Sequence, residues 1–137
     1  MASWRYDLRS KNLDRYKISS KEASLNLPLP GNPVRGSDSG RPIMALFDLL
    51  GRRWSLRVLW ELYQAPATFR ELQTRCEGLS PSVLNTRLGE LREAQLVENG
   101  SSGYQLSSLG QELALQCLPL AQWAEGWAAQ LPPRPEK

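Results

Sequence analysis

The stretch TFRELQTRCEGLSPSVLNTRLGELREA, residues 68–94, decides the fold. Thr68 is a hydroxyl N-cap with Glu71 three residues on, a helix-start signature, and it opens a short helix over Phe69–Cys76. Glu77-Gly78-Leu79 interrupts that helix. Ser80-Pro81 then sets a hydroxyl cap before a proline at the first helical position, where its missing N–H costs nothing. Leu84, Leu88 and Leu91 follow at helical spacing and predict a second helix to about Ala94. A short helix, a three-residue turn with Gly and a capped second helix make a helix-turn-helix pattern.

On the C-terminal side, Leu96-Val97-Glu98 and Tyr104-Gln105-Leu106 read as short strands. Asn99-Gly100-Ser101-Ser102-Gly103 between them reads as a hairpin loop. A last helix is expected from about Ser108 to Ala128, with Leu109, Leu113, Cys117, Leu120, Trp123 and Trp127 on its apolar face and Pro119 kinking it. On the N-terminal side, Pro42 opens a helix carrying Ile43, Leu46, Phe47 and Leu50, and Gly51 ends it. A further helix from about Arg53 to Tyr63 places Trp54, Val58, Leu59 and Leu62 on its apolar face, before Pro66. The fold class is therefore mainly α with a small β-hairpin wing, a winged helix-turn-helix.

The 137 residues suffice for one compact domain and some tail. Three regions are expected: a flexible basic arm and Pro/Gly linker over 1–40, the winged helix domain over 41–128, and a disordered tail over 129–137. Pro28, Pro30, Gly31, Pro33, Gly36 and Gly40 argue against a continuous helix or strand before Arg41. The longest uncharged runs (Ala23–Val34, Asn99–Gln111 and Leu113–Ala124) fall short of the roughly 18 residues that span a bilayer. Met1–Asp7 shows no apolar core of a secretory signal.

The net charge is +3 and the isoelectric point about 9.1. The excess sits in the flanks: 1–40 hold seven Lys/Arg against four Asp/Glu, whereas 41–128 hold eight Arg against nine Asp/Glu. A basic isoelectric point invites a nucleic-acid reading, but its location weakens that inference for the core. In the arm, Arg5, Arg9, Lys11, Arg15, Lys17 and Lys21 interleave with Trp4, Tyr6 and Tyr16. This is either an arm on a DNA backbone or a solvated tail, and the arm by itself favours the tail.

Histidine is absent, which removes the commonest general base, the usual catalytic triads and His-ligated zinc. Cys76 and Cys117 have no metal spacing and form no disulfide framework. Neither a Gly-rich phosphate loop nor a metal cluster is evident, so an enzyme is the weakest reading.

On the second helix of the pattern, Ser82, Asn85, Thr86, Gly89 and Glu93 share the arc opposite the leucines. The N-terminal part of such a helix enters the major groove. Ser82, Asn85 and Thr86 are the base-edge candidates, because Asn can bind adenine N6 and N7 together. Gly89 lets backbone come close. Arg87 flanks the apolar stripe and suits phosphate, as does the Ser80-capped helix end. Any amphipathic helix has a polar face, however, and Glu90 and Glu93 offset Arg87 and Arg92 here.

Arg41-Pro42-Ile43, Leu46 and Gly51-Arg52-Arg53-Trp54-Ser55-Leu56 resemble the opening of HxlR-type winged helix-turn-helix regulators. So do Thr68-Phe69-Arg70-Glu71-Leu72, the run Leu79–Leu91, Leu96-Val97 and Tyr104–Gly110. The resemblance covers roughly 41–128. It implies a bacterial, cytoplasmic, nucleoid-associated homodimer that binds double-stranded DNA as a transcriptional regulator. It implies no cofactor, and leaves room for a small-molecule effector that the sequence does not identify. Dimerisation is expected through Leu113, Leu120, Trp123 and Trp127, against the partner's helix Ile43–Leu50.

The departures from the family pattern are specific. Arg41 replaces the early cysteine that senses electrophiles or oxidants in some members, so Cys76 and Cys117 read as small hydrophobes. Thr68 replaces an Arg, Ser82 a frequent Lys and Gly89 a frequent Arg. Trp54 reads as core. Trp60 and Tyr63 read as packing, with an interhelical pocket as the alternative. These losses of charge support a second function class, a winged-helix protein-interaction module without tight DNA binding.

Overall fold

The computed structural model describes residues 27–34 and 37–135. The basic arm expected over residues 1–21 lies outside them. The elements, in order, are α1 (Pro42–Gly51), α2 (Ser55–Gln64), α3 (Phe69–Arg75), α4 (Pro81–Glu93), β1 (Val97–Gly100), β2 (Gly103–Leu106) and α5 (Ser108–Gln130). This is the expected order. The chain divides into two compact units between Leu56 and Arg57.

The first unit holds α1. Its buried side is Ala45 and Leu49, an i,i+4 pair, whereas Ile43 is 48% and Phe47 60% exposed. The expected face of Ile43, Leu46, Phe47 and Leu50 is thus rotated away from the interior, and only the small Ala45 and its partner one turn on are covered. The Pro/Gly stretch is not all open linker. Leu27 is buried, Val34 bridges Ser37, and the Gly31 N–H bonds the Gly40 carbonyl at 3.0 Å. Prolines and glycines forbid long ladders here but are suited to tight turns.

Helix α2 begins at Ser55, two residues later than expected. Trp54 takes φ +74°, outside the helical region, and forms a half-buried turn residue in place of a core helix position. Val58, Leu59 and Leu62 are buried as the spacing predicts.

The second unit carries the helix-turn-helix. Thr68 Oγ1 accepts from the Glu71 N–H at 3.2 Å, and its hydroxyl donates to the Glu71 carboxylate at 3.0 Å. Glu77 and Gly78 at φ +61° and +75° turn the chain between α3 and α4. Gln73 Nε2 ties that turn down through the Leu79 carbonyl at 2.9 Å. Leu72, Leu84, Leu88 and Leu91 are essentially without exposed surface and form the core of this unit with Val58, Cys76 and Val97. Each leucine so buried contributes roughly 1.5–3 kcal/mol.

The hairpin is tighter than the five-residue loop expected. Val97 pairs with Leu106 and Gly100 with Gly103, so Ser101 and Ser102 alone make the turn. Gly103 at φ +115° is where a side chain is excluded twice, since a Cβ there would lie 2.5 Å from the Ala67 carbonyl oxygen. That crowding follows from a second pairing: Ala67 and Tyr104 exchange backbone bonds of 3.0 and 2.8 Å, which fasten the wing to the entry of α3.

Helix α5 is capped by Ser107, whose hydroxyl accepts from the Gly110 N–H and donates to the Gln95 carbonyl. It runs through Pro119 and on to Gln130, so two residues of the expected tail are helical. Its buried residues are Gly110 and Ala114. Leu109, Leu120, Trp123 and Trp127 of the expected apolar face stay exposed, and Leu113 and Cys117 are half-buried. No helix among the described residues is long and apolar enough to cross a membrane.

Candidate nucleic-acid interface

Helix α4 owes its start to Ser80 and Pro81. Ser80 Oγ accepts from the Val83 N–H at 3.3 Å, and the Ser80 carbonyl accepts from the Leu84 N–H at 3.0 Å. Proline has no N–H to satisfy. The Ser82 N–H is then the first-turn donor left for an external acceptor, at the positive end of the helix dipole.

Burial of Leu84, Leu88 and Leu91 turns the other side of the helix outward. Ser82, Asn85, Thr86, Gly89 and Glu93 are all exposed on it. The Asn85 carboxamide makes no hydrogen bond among the described residues, so its donor and acceptor are both available. Thr86 is different: its hydroxyl donates to the Ser82 carbonyl at 2.9 Å. With its proton committed, Thr86 presents a methyl group and an accepting oxygen outward.

Arg87 does not share that face. Its guanidinium donates to the Glu90 carboxylate, and the two side chains are 19% and 8% exposed. The expectation that Arg87 serves phosphate meets a cation already engaged at the edge of the core. The burial of Glu90 was not foreseen. The signal for it was present in the i,i+3 spacing with Arg87, next to the leucine stripe.

Other arginines of this unit are also engaged. Arg57 bonds Glu61 at 2.8 Å and the Arg75 carbonyl at 3.0 Å. The Glu61 hydrogen bond raises the Arg57 pKa further above its usual value. Arg75 bonds the Ala65 carbonyl at 2.9 Å. Arg70, in the first turn of α3, and Arg92, near the end of α4, are exposed and have no carboxylate partner among the described residues. Sequence charge alone hides these two cations, because Glu93 offsets Arg92 along α4 and Arg70 lies on α3, outside the outward arc of α4.

A cleft of about 710 Å³ opens between the C-terminal half of α4, β1 and the first turn of α5, lined by Gly89, Arg92, Glu93, Glu98, Asn99 and Ser108 among others. Trp60 and Tyr63 are not part of it. They lie 5.4 Å apart, centroid to centroid, at 31°. Cys76 is fully buried, and burial pushes its thiol pKa up, against the lowering effect of Arg57. Cys117 is half-buried. Among the described residues no group of three or more His, Cys, Asp or Glu gathers as a metal site.

On α5, Trp123 and Trp127 stack with centroids 5.9 Å apart and planes 12° from parallel. They are 63% and 53% exposed, and Leu120 beside them 62%. A stacked, solvent-facing aromatic pair next to exposed leucines is an apolar patch of the kind that marks interaction surfaces.

Comparison with known proteins gives the same fold. A family model described as HxlR-like helix-turn-helix matches residues 49–132. A curated relative, an uncharacterized HTH-type transcriptional regulator of Methanocaldococcus jannaschii, is 27% identical over 89 residues, covering 61% of this chain and 83% of the relative. Quinone-bound YodB from B. subtilis superposes with a TM-score of 0.55 at 31% identity, over 65% of this chain and 97% of that one. A possible HxlR family transcriptional factor from Thermoplasma volcanium GSS1 superposes at 0.55 with 22% identity, over 65% of this chain and 86% of its own.

Proposed function

The chain belongs to the HxlR-like helix-turn-helix family, and on that premise we propose that it is a transcriptional regulator that binds double-stranded DNA sequence-specifically, as a homodimer. The observation that carries the reading is the outward face of α4. Ser82, Asn85 and Thr86 stand together on it, in the N-terminal half that enters a major groove, and the Asn85 carboxamide is unspent. Asn85 pairs with adenine through N6 and N7, and the Thr86 methyl packs on a thymine methyl.

Phosphate contacts come from the Ser80-capped end of α4, through the Ser82 N–H, and from Arg70 and Arg92. Arg87 is assigned to holding α4 through Glu90 instead. The described part of the chain is short of free cations, so the Lys/Arg-rich segment 1–21 supplies further backbone contacts.

The homodimer rests on α5. Leu113, Leu120, Trp123 and Trp127 of one copy cover apolar surface on the other, with the exposed Ile43 and Phe47 of the partner's α1 as their counterpart. Two reading helices then meet two half-sites, and the operator is palindromic.

Immunoprecipitation of the protein from its host, with sequencing of the bound DNA, tests the function. An enriched palindrome near promoters is the expected result. Flat coverage with a co-purifying protein assigns the fold to protein interaction instead.

A further inference from the structure

From Pro119 to Pro135 every residue is exposed except the half-buried Ala124. The second half of α5 and the segment after it are therefore open on all sides. One flank of the helix is Glu112, Leu115, Pro119 and Trp123, spaced i, i+3, i+7 and i+11. It is turned by about a quarter of the circumference from the line of Leu113, Leu120 and Trp127. All four residues are exposed, Leu115 by 54%.

The segment after α5 is Leu131-Pro132-Pro133-Arg134-Pro135. Leu131 leaves the helix at φ −78° and ψ 146°, which are polyproline II values, and the prolines hold the chain near them. A preformed segment of this kind docks on apolar and aromatic surface with little ordering left to do. Charge matches the two as well. The charged residues of α5 are Glu112 and Glu125, both acidic, and the charged residue of 131–135 is Arg134. These three make no ion pair among the described residues. Within one chain Arg134 and Glu112 stay apart, because the extended segment carries Arg134 about 9 Å past the helix end and Glu112 lies about 27 Å before it.

A second copy brings them together. A two-fold axis beside the Trp123–Trp127 stack sets two α5 helices antiparallel, with Trp123 of one level with Trp127 of the other. Leu131, four residues on, is then level with Pro119 of the other copy. Three residues of polyproline II cover about 9 Å, the rise of about six helix residues. Arg134 thus arrives at the level of Leu113 and Glu112. We propose that residues 131–135 of each copy form a strap along the flank of Glu112, Leu115, Pro119 and Trp123 on the other copy's α5, with Pro132 and Pro133 on Leu115 and Arg134 paired with Glu112. This rests on the homodimer reading above, and it leaves the line of Leu113, Leu120 and Trp127 to the α1 contact.

The test is sedimentation equilibrium of the full-length protein and of charge-swap variants at low salt. Arg134→Glu and Glu112→Arg each turn two attractions per dimer into repulsions, and each is expected to raise the dimer Kd about tenfold. Arg134→Glu/Glu112→Arg restores the pair with its signs exchanged, and its Kd is expected to return to within about threefold of wild type. Both positions are exposed, so all variants are expected to keep the wild-type far-UV spectrum. Single variants with the wild-type Kd overturn the inference, leave the homodimer standing and free the segment for a different protein. A double variant in which the two losses add also overturns it. A wild type that sediments as a monomer at every concentration overturns the inference together with the homodimer beneath it.

Discussion

The double substitution Trp123→Ala/Trp127→Ala separates the homodimer from a monomer that carries an exposed patch. A buried tryptophan contributes roughly 150–250 Å². At 63% and 53% exposure, more than half of each side chain is still open to water in the single chain, so the pair offers roughly 250 Å² per copy and about 500 Å² per symmetric dimer. At about 25 cal/mol per Å² that is on the order of 12 kcal/mol, a ceiling that association entropy and side-chain ordering reduce steeply. A third of it, about 4 kcal/mol, is about 1 kcal/mol for each of the four tryptophans removed and raises the dimer Kd about a thousandfold. Sedimentation of wild type and variant over a concentration series reads this directly. The variant is expected to run as monomer where wild type is dimer, with the far-UV spectrum retained, because neither ring supports the core. A variant that stays dimeric at every concentration refutes the assignment of this face.

Four further outcomes are expected. Arg87→Met takes the Arg87 cation from the Glu90 carboxylate at the edge of the core and should cost about 2–4 kcal/mol in urea unfolding, most of it recovered in Arg87→Met/Glu90→Leu; a loss below about 0.5 kcal/mol contradicts the role given to the pair. Cys76→Ala/Cys117→Ala should leave DNA binding and its response to oxidants and aldehydes as they were, and a lost response overturns the reading of both thiols as inert. The raised Cys76 pKa also has a sign: above the ordinary thiol pKa the unfolded chain releases a proton that the folded chain keeps, so stability falls as pH rises through that range, and Cys76→Ala should flatten the fall. Deletion of residues 1–22 should weaken binding on all sequences and reduce the slope of log affinity against log salt by roughly two to four, whereas equal slopes return that segment to a solvated tail.

The helix-turn-helix was legible because its signals are local. Thr68 and Ser80 cap as their hydroxyls and spacing require, and Leu84, Leu88 and Leu91 can be buried together only if the chain is helical. Helix ends set by backbone angles were less legible: nothing in Arg53-Trp54-Ser55 announces that Trp54 takes φ +74° and delays α2. The faces of α1 and α5 show the main limit. A stripe such as Ile43, Phe47 or Trp123, Trp127 says that apolar surface will be covered, not whether the same chain or another molecule covers it. The outward face of α4 was legible as a polar arc. Its chemistry depended on side-chain geometry, because whether Arg87 is free or paired, and whether Thr86 keeps its proton, follows from neighbours at i+3 and i−4 that compete with solvent.

The central claim is that α4 reads base sequence. The most direct measurement compares binding isotherms of wild type and Asn85→Ala on a duplex enriched from a randomised pool, on that duplex with its conserved adenines changed singly, and on random DNA, at one fixed salt concentration. Wild type is expected to prefer the enriched duplex over random DNA by about a thousandfold or more. Asn85→Ala is expected to lose about 1–3 kcal/mol of that preference and to become indifferent at one adenine per half-site, with its binding to random DNA unchanged. Equal affinity of wild type for enriched and random duplexes, or an Asn85→Ala variant with every base preference intact, contradicts the account.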